Sequence, residues 1–155
     1  MSDAARLAYL AETVELEAHY LEVTTQRLFA RPFDQARAAV LKDDTDDAER
    51  TDAFVARFGR LQDTVGDKLL PAVLTALSEP VGPAMDNLDR VEKLGLLPSA
   101  NDWMAARRMR KRMVHEYVRN PVILADALTE AHRLVPLLTG LARSLVRTCQ
   151  ERGLI

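Results

Sequence analysis

The chain has 155 residues, 48% hydrophobic and 28% charged, a length and apolar content that fit one folded domain over residues 1–155 and exclude a disordered chain. Its 21 Lys and Arg against 23 Asp and Glu give a net charge of −2, which excludes a uniformly basic coat for nucleic acid. A single cysteine excludes an intramolecular disulfide and a Cys-based zinc site, and no apolar run approaches the roughly 20 residues of a membrane span.

The opening residues, Met1 to Arg6, lack the basic-then-apolar order of a signal peptide, so a soluble cytoplasmic protein is expected. Few glycines, few aromatics and long stretches of 3–4 spacing predict an all-α chain with no strands. The first helix starts after Ser2 and runs to about residue 29. Leu7, Leu10, Val14, Leu21 and Leu28 form its stripe, with Leu16, Tyr20 and Val23 beside it, and Arg31-Pro32 ends it. A short helix over residues 33–41 precedes the acids Asp43, Asp44, Asp46, Asp47 and Glu49. That stretch lacks the glycine and terminal glutamate of a calcium loop. It reads as an exposed connection plus a helix start, with Asp46 and Glu49 as a capping box.

A second long helix follows over residues 47–77. Its stripe is Phe54, Phe58, Leu61, Val65 and Leu69, and Pro71 is expected to kink it. Residues 78–83 form a break. A short helix over residues 83–94 ends at Gly95. Ser99, with Asp102 three residues on, then caps a helix that stops at Asn120-Pro121. The last helix, residues 121–152, carries Leu124, Leu128, Ala131, Val135, Leu138, Ala142 and Leu145 in one stripe, with Cys149 half-buried and Pro136 a possible bend. Brief connections between such helices predict an antiparallel up-and-down bundle of four to five helices.

The average charge hides a local excess. Residues 107–119 hold six basic residues and one acid, a net +5 that leaves −7 on the remainder. On a helical wheel Trp103, Ala106, Met113, Val114 and Tyr117 form the core face, with Arg110 in its middle. A guanidinium there either snorkels to solvent or aims into a cleft or an oligomer seam. A neighbouring sector gathers Arg108, Lys111, Arg112 and His115. One His among three cations near a helix C-terminus is a candidate proton-transfer catalyst.

Cations hold phosphates, and Arg presents a planar fork to phosphate oxygens. A His among them can move the proton of a ribose 2′-hydroxyl, so the patch is suited to cleaving RNA without a metal. A two-fold dimer would supply two such histidines, one as base and one as acid. The alternative is a solvated basic face with an incidental His. His19 and His132 read as structural. No group of ligands has metal spacing, so neither metal nor cofactor is expected.

The segment Gly95-Leu96-Leu97-Pro98-Ser99, then Trp103, then Arg110-Lys111-Arg112-Met113-Val114-His115-Glu116-Tyr117, resembles the HEPN superfamily and its HepT-like branch. The pattern there is Arg, four residues, His, one residue, Tyr, which Arg110, His115 and Tyr117 match. The resemblance implies a HEPN bundle that forms a homodimer, with Arg110 and His115 lining a shared cleft of a metal-independent ribonuclease. It implies a toxin paired with a nucleotidyltransferase antitoxin of the MntA type, which adenylylates the motif tyrosine, here Tyr117. Arg108, Lys111 and Arg112 would hold RNA phosphates. The family usually has a small polar residue after the motif Arg, where this chain has Lys111. That departure opens a second reading, a non-catalytic accessory subunit of a minimal nucleotidyltransferase. Arg108, which shares a helix face with His115, is the other candidate for the functional arginine, and Tyr117 is otherwise a core residue.

Overall fold

Ser2 opens the first helix, its Oγ accepting the Ala5 N–H at 3.1 Å and so satisfying one donor that a helix N-terminus leaves unpaired. The computed structural model describes residues 1–116 and 120–155. Its first helix, α1 (Asp3–Leu28), buries Leu7, Leu10, Val14, Leu21 and Leu28, as the spacing predicts. Leu16, Tyr20 and Val23 stand exposed beside that stripe.

The acidic stretch departs from its sequence reading in two ways. After α2 (Gln35–Ala39) and a tight turn, Leu41–Asp43, the cap of α3 (Thr45–Asp63) is Asp44, which accepts the Asp47 N–H at 3.0 Å; Asp46 does not cap it. Asp47, expected at the helix start, is also not solvent-facing. It is buried, and it accepts hydrogen bonds from Arg37 Nε at 2.8 Å and Nη2 at 2.6 Å. Arg37 donates as well to the Arg31 carbonyl at 2.8 Å, and its guanidinium lies 4.6 Å from the centre of the Phe33 ring. This bidentate pair closes the α2 loop onto α3. Spacing could not reveal it, because the partner comes from a different element.

α3 continues through one π-helical turn, Thr64–Leu69, into α4 (Leu70–Ala76). The turn answers Pro71, which has no N–H to give and whose ring strikes the carbonyl one α-turn back. Widening the preceding turn, so that the Leu70 N–H reaches the Val65 carbonyl, shifts that register. The predicted kink is thus an inserted residue, and Phe54, Phe58, Leu61, Val65 and Leu69 all remain buried.

α5 (Ala84–Lys93) ends where Gly95, at φ 78°, lets the Leu96 N–H return to the Val91 carbonyl at 2.9 Å. α6 (Ala100–Glu116) and α7 (Pro121–Glu151) complete the chain. Asn120 caps α7 through the N–H groups of Val122 and Ile123, and the seven predicted stripe residues of α7 are buried. Cys149 is fully buried, deeper than predicted, and burial raises its thiol pKa.

The four long elements form an antiparallel bundle in which α1 packs on α3 and α7, and α6 packs on α3 and α7. Thr64 donates to Glu17 and Arg57 to Thr24, so α1 and α3 run in opposite directions. Burial raises the Glu17 pKa. The Arg143–Glu22 pair, at 2.6 Å, ties α7 to α1. α1 and α6 occupy opposite corners of the bundle. No strand occurs among the described residues, and no helix there is long and apolar enough to cross a membrane.

The Arg37 hydrogen bonds hold the Asp47 carboxyl below its ordinary value of 3.8. A lowered folded pKa contributes stability that is present above the unfolded value and lost as pH falls through the folded one. Asp47→Ala should cost about 3–5 kcal/mol in urea denaturation at pH 7, because it leaves a buried guanidinium unpaired. The gap to wild type should narrow below about pH 4, as wild type loses the same pair by protonation.

Candidate functional site: a basic face on one helix

Two side chains set the start of α6. Ser99 Oγ accepts the Asp102 N–H at 3.1 Å, and Glu92 Oε1, from the end of α5, accepts the Ala100 N–H at 2.7 Å. Trp103, Ala106 and Met113 then face the core and are fully buried. Val114 does not join them. It is 57% exposed although its neighbour Met113 is fully buried, because one residue turns it about 100° around the helix from that side chain. Tyr117, the candidate modification site, lies outside the described residues, as does Arg119.

α6 crosses α3 and the π-helical turn that continues it at two glycines. A Cβ on Gly59 would stand 2.6 Å from Arg110 Nε, and one on Gly66 would stand 3.3 Å from Trp103 Nε1. The missing side chains make room for an Arg and a Trp spaced seven residues apart, as the glycines are. Arg110, on the core-facing side as the wheel predicts, lies over Gly59 and forms a hydrogen-bonded ion pair with Asp63 of α3. Its side chain is 38% exposed, so the stem is covered and the head reaches the surface. A guanidinium carries five N–H donors, so contact with one carboxylate leaves others free for an anion.

Arg107, Arg108, Lys111, Arg112 and His115 are all exposed. Arg108, Lys111, Arg112 and His115 recur at steps of three and four residues, which puts them on one face. His115 belongs to the last described turn of α6. Arg110 is about 140° around the helix from it. The structure therefore brings His115 together with Arg108, Lys111 and Arg112, and sets Arg110 on a different side with Asp63. Such a face can hold an extended polyanion.

Sequence reasoning missed Gly59, Asp63 and Glu92. A glycine inside an otherwise apolar helical pattern was the available signal for the first. Among the described residues no three His, Cys, Asp or Glu gather where they could hold a metal. The other histidines lie elsewhere. His132 stacks on Phe29, ring centres 4.0 Å apart and 7° from parallel, with its pKa lowered by burial. An open cavity of about 530 Å³ lies beside that pair, lined also by Phe33, Asp34 and Asp126 and by no residue of α6. His19 lies against Tyr20, ring centres 5.8 Å apart.

The Gly59 contact makes a testable claim. Alanine in place of a mid-helix glycine ordinarily gains about 0.5–1 kcal/mol. Gly59→Ala should show that gain in an Arg110→Ala background and lose it in wild type, where the new methyl displaces Arg110 from Asp63; a double-mutant cycle by urea denaturation measures the difference. Comparison of the chain with family models, with curated proteins and with solved structures finds no match.

Proposed function

We propose that this chain is a HepT-like HEPN endoribonuclease, a toxin that cuts RNA without a metal and is restrained by a nucleotidyltransferase antitoxin. The observation that carries the reading is the exposed His115 on a face with Arg108, Lys111 and Arg112, on the helix that also bears Arg110. Three cations at helical spacing match phosphates along a strand, and the net −7 of the rest of the chain disfavours RNA elsewhere.

The reaction follows from these groups. His115 takes the proton of a ribose 2′-hydroxyl as the 2′-oxygen bonds to phosphorus. The P–O5′ bond breaks, a second His115 protonates the departing oxygen, and a 2′,3′-cyclic phosphate remains. Arginines neutralise the charge that builds on the phosphorane oxygens. Arg110 and His115 leave one helix in different directions, so one chain does not readily bring both to one phosphate. A homodimer that pairs two α6 helices lets Arg110 of one copy meet His115 of the other. Exposed Val114, near the end of α6, and Val122, at the start of α7, give that pairing an apolar contact. Asp63 then acts as the positioning residue for Arg110. AMP on Tyr117, two residues beyond His115, would add negative charge and bulk beside the phosphate site and block RNA. An RNA substrate puts the protein in the cytoplasm.

Lys111 favours a second reading. It is exposed where the family has a small polar residue, and Lys only donates. On that reading the face holds a nucleotide or the nucleotidyltransferase itself, as an accessory subunit, and cuts nothing.

Cleavage of a mixed RNA substrate in EDTA separates the two. His115→Ala should lower the rate at least about 100-fold, and Arg110→Ala comparably, with helix content unchanged by circular dichroism. Arg108→Ala should weaken RNA binding and flatten its salt dependence. Cleavage by His115→Ala at the wild-type rate would sink the nuclease. Absence of cleavage by wild type and variants alike, with nucleotide or partner still bound, would establish the accessory subunit.

A further inference from the structure

The exposed side of α1 is not an ordinary solvent face. Tyr9 is 59% exposed, Leu16 50%, Tyr20 51% and Val23 39%. With Thr13 and Arg27 they follow steps of four and three residues along the helix, the spacing of a coiled-coil seam. The bundle core is served by a different stripe on the same helix, Leu7, Leu10, Val14 and Leu21. α1 thus has two apolar faces, and only one is covered within the chain.

Size argues for a partner. Taking about 200 Å² for a fully exposed side chain of this class, the four residues expose on the order of 400 Å². Two copies of the stripe would bury roughly 800 Å² of apolar surface. A rim of Glu12, Thr13, His19 and Arg27 brings the total near the roughly 1,200 Å² at which specific interfaces begin.

Charge and shape select the partner and its direction. We propose that a second copy of this chain docks on α1, antiparallel, about a two-fold axis near residue 18. In that register Leu16 lies over the copy's Tyr20 and Thr13 over its Val23, each pair occurring twice. Tyr9 lies over the copy's Arg27, ring against guanidinium, with Glu12 one turn away from the same Arg27. Arg6 falls at the end of the overlap, over Ala30. A parallel pairing instead stacks Arg6 on Arg6 and Arg27 on Arg27. Arg57 of α3 already stands over the Tyr20 ring, 5.5 Å from its centre, and donates to Thr24 and to the Tyr20 carbonyl. It braces that ring at the seam.

This contact is separate from the pairing of α6 helices in the proposed nuclease, since α1 and α6 occupy opposite corners of the bundle. It does not depend on that reading. With both contacts the assembly is a tetramer; with α1 alone it is a dimer of twice 17.3 kDa.

Light scattering of the purified full chain tests it. Leu16→Glu and Tyr20→Glu should each halve the wild-type mass, while both keep their helix content, because the positions are half-exposed and Glu is a good helix former. Cys149 is buried, so new surface thiols report alone. Leu16→Cys combined with Tyr20→Cys should cross-link to a dimer under mild oxidation, and neither single variant should. A monomeric wild type, or a mass unmoved by both Glu variants, overturns the proposal. Cross-linking by Leu16→Cys alone overturns the antiparallel register. RNA cleavage is a separate readout, so the seam and the nuclease stand or fall independently.

Discussion

The register of α6 on α3 governs the rest of the molecule. Two large side chains of α6, Arg110 and Trp103, each lie where α3 or the π-helical turn that continues it has no side chain, at Gly59 and Gly66. Both pairs are seven residues apart on their own helices, and the helices run in opposite directions. A slip of one turn would set Trp103 or Arg110 against a neighbouring side chain and separate Arg110 from Asp63. The cost of such a slip is steric first and electrostatic second, because close-packed interiors tolerate overlap poorly. The wide turn at Thr64–Leu69 belongs to the same constraint, since it carries Gly66 under the indole.

Once that register is set, the outward face of α6 has no freedom. Burial of Trp103, Ala106 and Met113 turns Arg108, Lys111, Arg112 and His115 to solvent. Cap bonds from Ser99 and Glu92 fix where the helix begins, and so how far His115 stands from the bundle. Rigid elements hold a functional group more precisely than loops do. Here the rigidity comes from residues that never touch a substrate.

The bundle was largely legible in the sequence because burial repeats with the helical period. The stripes of α1, α3 and α7 contain the residues that 3–4 spacing selects, and the helix starts at Ser2 and Ser99 follow from local chemistry. What escaped depends on a second element. Asp47 looks like one acid among five until Arg37, ten residues earlier, is folded against it. Val114 lies at the edge of the wheel's core sector, about 100° from fully buried Met113, and packing on the neighbouring helices leaves that edge uncovered. Arg110 was correctly placed by angle, yet its partner Asp63 is 47 residues away. A wheel reports direction around one axis; it carries neither how wide a sector the neighbouring helices cover nor their charges.

Charge arithmetic gains meaning only after this geometry. A net −2 describes a chain that repels nucleic acid weakly everywhere, whereas the folded chain presents at least four exposed cations along one helix. At physiological salt a charge is felt over about 8 Å, roughly one and a half helical turns. A polyanion near α6 therefore senses the local cluster rather than the molecular total. The acids of α1, across the bundle, are screened from it. Their distance lets one small fold carry a cationic face on α6 and an apolar, mixed-charge seam on α1 without either compromising the other.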